Sequence, residues 1–308
     1  FVIDAGAILG NPSHTLTTAQ VADNLGLLIA QFQRCHQATV RAAVLTHALS
    51  AQFQLTEDAL LASAEQHWQH RKRTLLQKCF RSTTATCFAS AFDRVYAFRR
   101  SDAGSDLEVF LRDPDSTMAR GRALKLGNSS TVAKLTMDGR SVVIKRYNMK
   151  STWHWLRRCW RPSRAWMSWH NAHWLDLLGL HTPTPIAFLE MRCGPLRQRA
   201  YYVCEYIAGD ALSEALSQRN PSNQELAELE KYFTTAAHEH LIHGDMKATN
   251  FFLYQEKLFV LDLDSLREES KRRWKTLFLR DLQRFQRNWG IETPWLNQLQ
   301  SLVTRLLA

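Results

Sequence analysis

The sequence predicts an α+β protein in which a small strand-rich lobe is followed by a helical lobe, with a further helical region in front. Three observations lead to this prediction. Residues 120–147 alternate apolar and polar side chains around an Asp-Gly pair. Helix start signals occur at residues 163 and 222. An apolar hairpin and a run of basic, amphipathic segments follow from about residue 250 to the end of the sequence.

The N-terminal region, residues 1–92, is predicted to be mostly helical. Apolar residues recur there at helical spacing through 21–30, 40–49 and 59–64. Residues 93–118 are predicted to be a connector, because the polar runs RRSDAGSD and RDPDS surround a short, strand-like LEVFL.

The strand-rich lobe is predicted over residues 119–204. The stretch ALKLGNSSTVAKLTMDGRSVVIKRY gives three strands, and the pair Asp138-Gly139 turns a hairpin between the second and the third. A helix follows, begun by the N-cap residue Ser163 and ended at Gly179. The segment AYYVCEYI then supplies another strand.

The helical lobe is predicted over residues 208–308. Ser222 and Glu225 form a capping box that opens an amphipathic helix. The segments NFFLY and LFVLDL flank QEK as a tight hairpin, and basic helices follow from about Arg272.

Composition is ordinary for a soluble globular protein. The chain has 308 residues, 45% hydrophobic and 22% charged, which is enough for about two domains. No apolar stretch approaches the roughly 18–20 residues of a membrane-spanning helix. Because the first residue is Phe1, we expect a fragment or a processed form. The absence of a signal peptide therefore says little about where the protein is located. The six cysteines are scattered, without C-x-x-C spacing, which argues against a zinc or redox motif and suits a reducing cytosol.

Net charge is +10, which favours an anionic partner such as a nucleotide, a phosphorylated sugar, nucleic acid or an acidic lipid. The alternative is charge that serves solubility alone. The positive residues are clustered along the chain, and clustering favours a partner.

A run of eight polar or small residues, 243–250, stands ahead of the apolar hairpin. Phosphoryl transfer requires Mg²⁺ on hard oxygen ligands, a cation on the phosphates and an oriented acceptor hydroxyl. Asp245 and Asn250 lie five residues apart on this loop, and Asp262 follows the hairpin. Two of these side chains can hold a metal ion while the third faces an acceptor hydroxyl.

Three motifs in the right order resemble those of protein kinases. HGDMKATN resembles the catalytic loop H-R-D-x-x-x-x-N, in the H-G-D form of small-molecule and sugar kinases. FVLDLD at 259–264 resembles the D-F-G position, and VVIK at 142–145 resembles the third-strand V-A-I-K motif.

More narrowly, residues 120–290 resemble the lipopolysaccharide kinase family of the Kdo/WaaP type, which phosphorylates Kdo or heptose of the inner core. The stretches that carry this resemblance are LKLGNSSTVAKL, VVIKRYN, RPSRAWMSWHNAH, LGLHTPTPIA, HGDMKATN, LDLDSLR and RRWKTLFLRDLQRF. The resemblance implies a bilobal protein-kinase-like fold, with ATP and Mg²⁺ as cofactors. It also implies a cytoplasmic enzyme, peripheral on the inner face of the bacterial inner membrane, and a core-oligosaccharide or anionic glycolipid acceptor.

The resemblance assigns roles to individual residues. Asp245 would accept or orient the acceptor hydroxyl proton, and Lys247 would neutralise charge on the transferred phosphoryl group. Lys145 would contact the α- and β-phosphates of the nucleotide. Asn250 and Asp262 would bind Mg²⁺.

Two further segments have expected roles in nucleotide binding. The segment Glu205 to Ile207 would form the hinge that holds adenine. A short loop would cover the phosphates with backbone N–H groups and hydroxyls. Its residues are Gly127, Asn128, Ser129, Ser130 and Thr131.

The sequence departs from the protein-kinase pattern in several places. No acidic residue occurs between 147 and 175, where protein kinases carry the glutamate that pairs with the third-strand lysine. The candidates to face Lys145 are Ser168, His170 and Asn171, or an acid from elsewhere. The nucleotide loop has one glycine instead of three, and without an A-P-E motif we do not expect control by activation-loop phosphorylation.

Two residues of the loop and hairpin carry alternatives. His243 is expected to brace the backbone, not to act as a base. Asp264 is either a second metal contact or a cap, and the sequence does not choose between them.

Basic and aromatic residues cluster in two segments. From Lys145 to Arg164 there are seven Lys or Arg and no acid, and six of the ten tryptophans lie within 153–174. Residues 271–287 add seven Lys or Arg against one acid. These segments predict two basic faces that dock the enzyme on a membrane carrying an anionic glycolipid. The alternative is that the tryptophans form the core of the small lobe. No nucleic-acid module is recognisable, and we do not expect nucleic acid as a partner.

The N-terminal region carries a short internal repeat. FVIDAG at the start matches FVLD at 259–262, and Asp4 and Asp23 match Asp262 and Asp281 at an offset of 258. One hypothesis is that residues 1–92 are the tail of a preceding kinase-like lobe. The other is a helical accessory domain with a chance match.

The main functional hypothesis is a kinase of a lipopolysaccharide core sugar. One alternative is a soluble small-molecule kinase of the aminoglycoside or choline type, which the basic, Trp-rich segment disfavours. The other is a catalytically dead pseudokinase scaffold, suggested by the missing helix acid.

Overall fold

A computed structural model describes residues 16–50, 55–148, 159–289 and 294–307. The chain divides into two compact units, Phe1–Lys72 and Arg73–Ala308.

The described part of the first unit is helical, as predicted. Helix α1 spans Thr18–Ala30, α2 spans Gln37–Ser50, and α3 begins at Glu57 and runs to Lys78. A capping box formed by Thr17 and Gln20 starts α1. Ile29 and Leu60 are fully buried among other apolar side chains and form the core of this unit.

The repeat hypothesis concerns the same unit. Asp4 lies outside the described residues. Asp23 lies on α1, and its Oδ1 is 2.8 Å from Nε2 of His67 on α3. A tail of a preceding kinase-like lobe stays a prediction.

The second unit contains a seven-stranded antiparallel sheet in the order β1-β2-β6-β7-β5-β4-β3. The strands are β1 Thr86–Ser90, β2 Arg94–Arg99, β3 Arg122–Leu126, β4 Ser130–Met137, β5 Arg140–Tyr147, β6 Pro185–Cys193 and β7 Leu196–Glu205. The three strands predicted within 120–147 are confirmed as β3, β4 and β5. Their D-G turn is confirmed too, with Asp138 and Gly139 both at positive φ, 45° and 79°.

The sheet begins earlier than predicted. Residues 86–90 and 94–99, expected as helix and connector, pair with each other and extend the sheet beyond β6. The LEVFL segment, expected as a strand, lies in helix α4 Ser105–Arg112, and α5 Pro114–Ala119 follows. The strand prediction is wrong because Leu107 and Phe110, three residues apart, both insert into the core, whereas Val109 is exposed. A helix puts residues three apart on one face, and a strand does not.

One helix packs against the sheet. Helix α6 spans Arg164–Leu178, with Ser163 as its side-chain N-cap and Gly179 as a left-handed C-cap, as predicted. Trp169 is fully buried on this helix, and its Nε1 donates to the Cys79 carbonyl at 3.0 Å.

The tryptophans on and near α6 divide between core and surface. Trp166 stacks on Phe80 with ring centroids 4.1 Å apart, and Trp169 and Trp174 are buried. Trp160 is 63% exposed. Trp153 and Trp155 lie outside the described residues.

The rest of the chain is the helical part. Its helices are α7 Leu212–Ala215, α8 Asn223–His238, α9 Lys271–Gln286 and α10 Pro294–Leu307. Its strands are β8 Asp210–Ala211, β9 Leu241–Ile242, β10 Phe251–Tyr254, β11 Lys257–Val260 and β12 Arg267–Glu268. The predicted capping box at Ser222 and the predicted β10–β11 hairpin are both confirmed. Aromatic rings of Phe233, Phe251 and Phe285 pack edge to face at the centre.

The predicted α+β plan, a strand-rich lobe followed by a helical lobe, is therefore confirmed. In the described parts of the chain, no helix combines the length and the apolar character needed to cross a membrane.

Candidate active site

A cavity of about 300 Å³ lies between the β3–β5 and β7 strands and the β10–β11 hairpin. Seven residues for which the sequence predicts a role in nucleotide or metal binding line it: Ser130, Lys145, Glu205, Tyr206, Ile207, Asn250 and Asp262. Much of the remaining wall is apolar, which suits a flat ring. These apolar residues include Leu124, Val132, Val143, Tyr202, Phe252 and Leu261.

Lys145 and Asp262 meet in this cavity. Alternation along β5 puts Lys145 on the same face as Val143 and Tyr147, which also line the cavity. Asp262 directly follows the hairpin in a left-handed conformation, φ 59°. The Lys145 Nζ lies 2.5 Å from Asp262 Oδ1, although the two residues are 117 positions apart.

The electrostatics favour the charged form of both groups. Burial alone would lower the pKa of Lys145, but the neighbouring Tyr147 and Asp262 raise it above its ordinary value. Burial alone would raise the pKa of Asp262. The hydrogen bond with Asp264 and the charge of Lys145 outweigh burial and hold that pKa well below its usual range.

The acidic partner of Lys145 thus comes from the segment after the β10–β11 hairpin, not from α6. The three α6 candidates have other contacts. Ser168 bonds the Tyr147 hydroxyl at 2.8 Å, and His170 contacts Asn171. Asn171 donates to two backbone carbonyls of the segment after Asp262, those of Leu263 at 2.7 Å and Leu266 at 2.8 Å.

Asp264 joins the same segment to the helix. Its carboxylate accepts from Arg164 Nε at the first turn of α6, and its side chain is only 5% exposed. Burial and the hydrogen bond with Asp262 raise the pKa of Asp264 above its ordinary value. The contact that the structure shows is neither a metal ligand nor a backbone cap: Asp264 ties the segment after the hairpin to α6 through the Arg164 side chain. A second metal contact stays a prediction.

The catalytic-loop candidates surround one carboxylate. Lys247 Nζ lies 2.9 Å and Arg284 Nη1 3.1 Å from Asp245 Oδ1. Asn250 Nδ2 donates to the Asp245 carbonyl at 2.8 Å. Because this bond fixes the amide nitrogen, the amide oxygen of Asn250 remains as an acceptor.

Two residues of α9 hold the backbone of this loop. Gly244 has φ 82°; its N–H donates to Asp281 Oδ2 at 2.8 Å, and its carbonyl accepts from Arg284 Nη1 at 2.9 Å. Asp281 and Arg284 stand three apart on the helix, so both reach the backbone of the same residue, Gly244.

His243 is fully buried and braces the loop, as the sequence led us to expect. Its Nε2 donates to the Leu261 carbonyl at 3.0 Å, and its Nδ1 accepts from the Asp245 N–H at 3.4 Å. Burial lowers the pKa of His243, which favours the neutral ring.

The predicted phosphate loop is only partly directed at the cavity. Ser130 lines the cavity. The N–H of Gly127 donates to the Ser130 carbonyl, and the hydroxyl of Thr131 accepts from Asn148 and Arg146. Neither group lies in the cavity wall. Asn128 and Ser129, between them, are also outside that wall.

In the hinge candidate, two backbone donors are already used. The N–H groups of Glu205 and Tyr206 donate to the carbonyls of Thr184 and Ser141. This leaves the N–H of Ile207 as the candidate donor to adenine.

The donor set fits Mg²⁺ better than a tightly bound structural metal. Within the described ranges, no group of three or more His, Cys, Asp or Glu side chains is arranged to hold a metal ion. Mg²⁺ in nucleotide sites takes one or two protein oxygens and completes its shell with phosphate and water. Asn250 and Asp262 supply such oxygens on the wall of one cavity.

Sequence reasoning missed Arg164, Asp281 and Arg284. The signal for the last two was present, because an Asp and an Arg three apart on a basic helix share one face. Arg164 carried no such signal, since its partner lies 100 residues away.

Three features define a protein-kinase-like protein. They are an antiparallel sheet followed by a helical part, a strand lysine that contacts the aspartate after the β10–β11 hairpin, and an H-G-D loop. The chain belongs to the Lipopolysaccharide kinase (Kdo/WaaP) family, whose family model matches residues 118–300. The resemblance found in the sequence is thereby confirmed, and the protein is of a kinase family, that is, a phosphotransferase.

A solved structure titled "WaaP in complex with acyl carrier protein" is similar to this chain. The match has 20% identity, covers 63% of this chain and 92% of that one, and has a TM-score of 0.40. At that TM-score we draw nothing further from the likeness. Among curated proteins, no sequence matches this chain.

Proposed function

We propose that this protein is an ATP- and Mg²⁺-dependent kinase that phosphorylates a sugar hydroxyl, of heptose or Kdo, in the lipopolysaccharide inner core. Family membership supports the class of acceptor. The observation that carries the nucleotide part is the contact between Lys145 and Asp262 inside an apolar-walled cavity.

In this proposal Lys145 binds the nucleotide phosphates, and the Ile207 N–H with the apolar wall holds adenine. Bound Mg²⁺, held by Asn250 and Asp262, would neutralise charge on the phosphates. Lys145 already has an acidic partner, Asp262, in the segment after the hairpin. This contact weighs against the pseudokinase alternative, which the absence of an acidic residue between 147 and 175 suggested.

On the acceptor side, Asp245 would accept the proton of the sugar hydroxyl as that oxygen attacks the γ-phosphorus. Its carboxylate is held by Lys247 and Arg284, and its backbone by Asn250 and His243. Lys247, half exposed beside it, would offset charge on the transferred phosphoryl group.

We also propose that the enzyme acts at the cytoplasmic face of the inner membrane. Exposed Trp160 and the basic residues of α9 support this, because Asp281, the acid of that helix, turns inward to Gly244. Arg157 and Arg158 lie outside the described residues. Charge reversal of this pair should reduce sedimentation with anionic vesicles and leave binding to neutral vesicles unchanged; equal sedimentation of both forms would contradict the membrane role.

Phosphate transfer from radiolabelled ATP to purified core oligosaccharide tests the proposal. Asp245→Asn should abolish transfer while the thermal shift caused by ATP and Mg²⁺ persists. Lys145→Met should lose both. Transfer to an aminoglycoside or choline but not to the oligosaccharide would establish the soluble small-molecule kinase instead. Unchanged phosphate transfer by Asp245→Asn would contradict the role proposed for Asp245.

A further inference from the structure

The surroundings of the Asp245 carboxylate carry more positive charge than proton transfer requires. Two cations contact this one carboxylate: Lys247 contacts both of its oxygens, and Arg284 contacts Oδ1. The side chains of the two cations are 49% and 45% exposed, so both are open to solvent beside the carboxylate. The Asp281 carboxylate, which accepts from the Gly244 N–H, balances the second cation, so any positive excess here comes from further cations of α9.

Arg284 has unused donor capacity at this position. A guanidinium carries five N–H donors in a planar fork suited to carboxylate or phosphate. In the described part of the chain, the contacts of this guanidinium with the Gly244 carbonyl and the Asp245 carboxylate both use Nη1.

The helix extends this positive field along one face. Arg280 and Arg287 lie four residues before and three residues after Arg284, and both are exposed. Asp281 is the one acid of α9, and its single negative charge does not balance the three arginines of this face. A neutral hydroxyl gains nothing from such a surface, whereas an anionic acceptor does.

We propose that Arg284 is a specificity-determining residue that binds an anionic group of the acceptor, a carboxylate or a phosphate, next to the hydroxyl that Asp245 deprotonates. This inference rests on the proposed function and deepens it. Arg284 keeps Nη1 on Asp245 and offers the rest of its fork to the acceptor. The enzyme therefore selects a hydroxyl that has a negative charge beside it.

The acceptor itself can be altered to test this without any variant. The probes are deacylated core oligosaccharide, the same oligosaccharide with its carboxylates reduced to alcohols, and the same oligosaccharide dephosphorylated. For the wild-type protein, removing the recognised anion should raise KM about tenfold or more, since a hydrogen bond to a charged group contributes that much. Which of the two treatments raises KM identifies the anion.

Variants then assign the effect to Arg284. Arg284→Gln should raise KM for the native oligosaccharide by about the same factor, and should not raise KM further on the oligosaccharide that lacks the recognised anion. A fall in kcat on every acceptor is expected besides, because Arg284 also holds Asp245. Arg284→Lys should recover part of the loss, because it keeps the charge but not the fork. Arg272→Gln, which removes one exposed charge from an earlier turn of α9, is the matched control and should behave as wild type.

Three results would overturn the inference. Wild-type KM could be the same for all three oligosaccharides. Arg284→Gln could lower kcat on all of them and leave every KM unchanged, which would make it a positioning residue for Asp245 only. Arg272→Gln could match Arg284→Gln, which would make the effect one of net charge.

Binding without transfer separates this inference from the proposed function. Calorimetric titration of nucleotide-free protein with native and anion-depleted oligosaccharide measures recognition alone. If transfer fails but wild type binds the native form more tightly and Arg284→Gln does not, the anion site stands and the kinase proposal fails. Equal binding of both forms refutes the anion site, whatever the transfer assay gives.

Discussion

Replacing Gly244 by alanine probes how tightly the fold holds the catalytic-loop candidate. The residue has φ 82°, and an added Cβ would lie 3.0 Å from both the Cβ and the carbonyl oxygen of Ser265. The backbone of Gly244 also makes two hydrogen bonds: its N–H donates to Asp281, and its carbonyl accepts from Arg284. The substitution therefore combines backbone strain with a steric conflict directly beside Asp245.

Gly139 provides a control that separates the two effects. It has φ 79°, almost the same as Gly244, but an added Cβ there would meet nothing within 4 Å. The left-handed conformation costs an alanine about 1–2 kcal/mol at either site, and the lower unfolded-state entropy of alanine offsets both equally. Only Gly244→Ala adds the steric term, about 1–3 kcal/mol for an overpacked site.

Gly244→Ala should therefore lower the free energy of unfolding by about 1–3 kcal/mol more than Gly139→Ala does, as measured by urea titration. Its phosphate transfer should fall about tenfold, since a displacement well below 1 Å next to a reacting group has a smaller effect than the hundredfold of a full 1 Å. Gly139→Ala should keep wild-type transfer. Equal destabilisation of the two variants, or full activity of folded Gly244→Ala, would refute the reasoning.

Three further outcomes are expected. Asn171→Ala should lower the free energy of unfolding by about 2–4 kcal/mol, because the buried carbonyls of Leu263 and Leu266 lose their donor; a loss below that of an ordinary surface variant would contradict this. Ser163→Ala should cost about 1 kcal/mol in urea titration through loss of the α6 N-cap, and an unchanged midpoint would show that the cap contributes nothing. Burial lowers the pKa of His173 from 6.5 to about 4, so the unfolded chain takes up the proton first as pH falls. Stability should thus drop between pH 6.5 and 4, by up to about 3 kcal/mol, and His173→Gln should remove that part of the decline; parallel pH profiles of the two proteins would exclude it.

The sequence alone was enough for elements defined by local signals. The strands β3 to β5, the D-G turn, the caps at Ser163 and Ser222 and the β10–β11 hairpin follow from short-range patterns and turn chemistry. The family could also be recognised from the sequence, because Lys145, the H-G-D loop and Asp262 each lie in a short motif and these motifs follow one another in the order found in kinases. Each of these depends on residues within a few positions of one another.

Only the tertiary structure could decide what depends on distant neighbours. The helix over LEVFL, the early strands of the sheet, the pairing of Lys145 with Asp262 and the reach of Arg284 to Asp245 all join segments far apart in the chain. Short apolar runs fit helix and strand equally until a core selects one face. A charged side chain likewise has no fixed partner until folding brings one within a few ångströms, where the Coulomb interaction becomes large enough to matter.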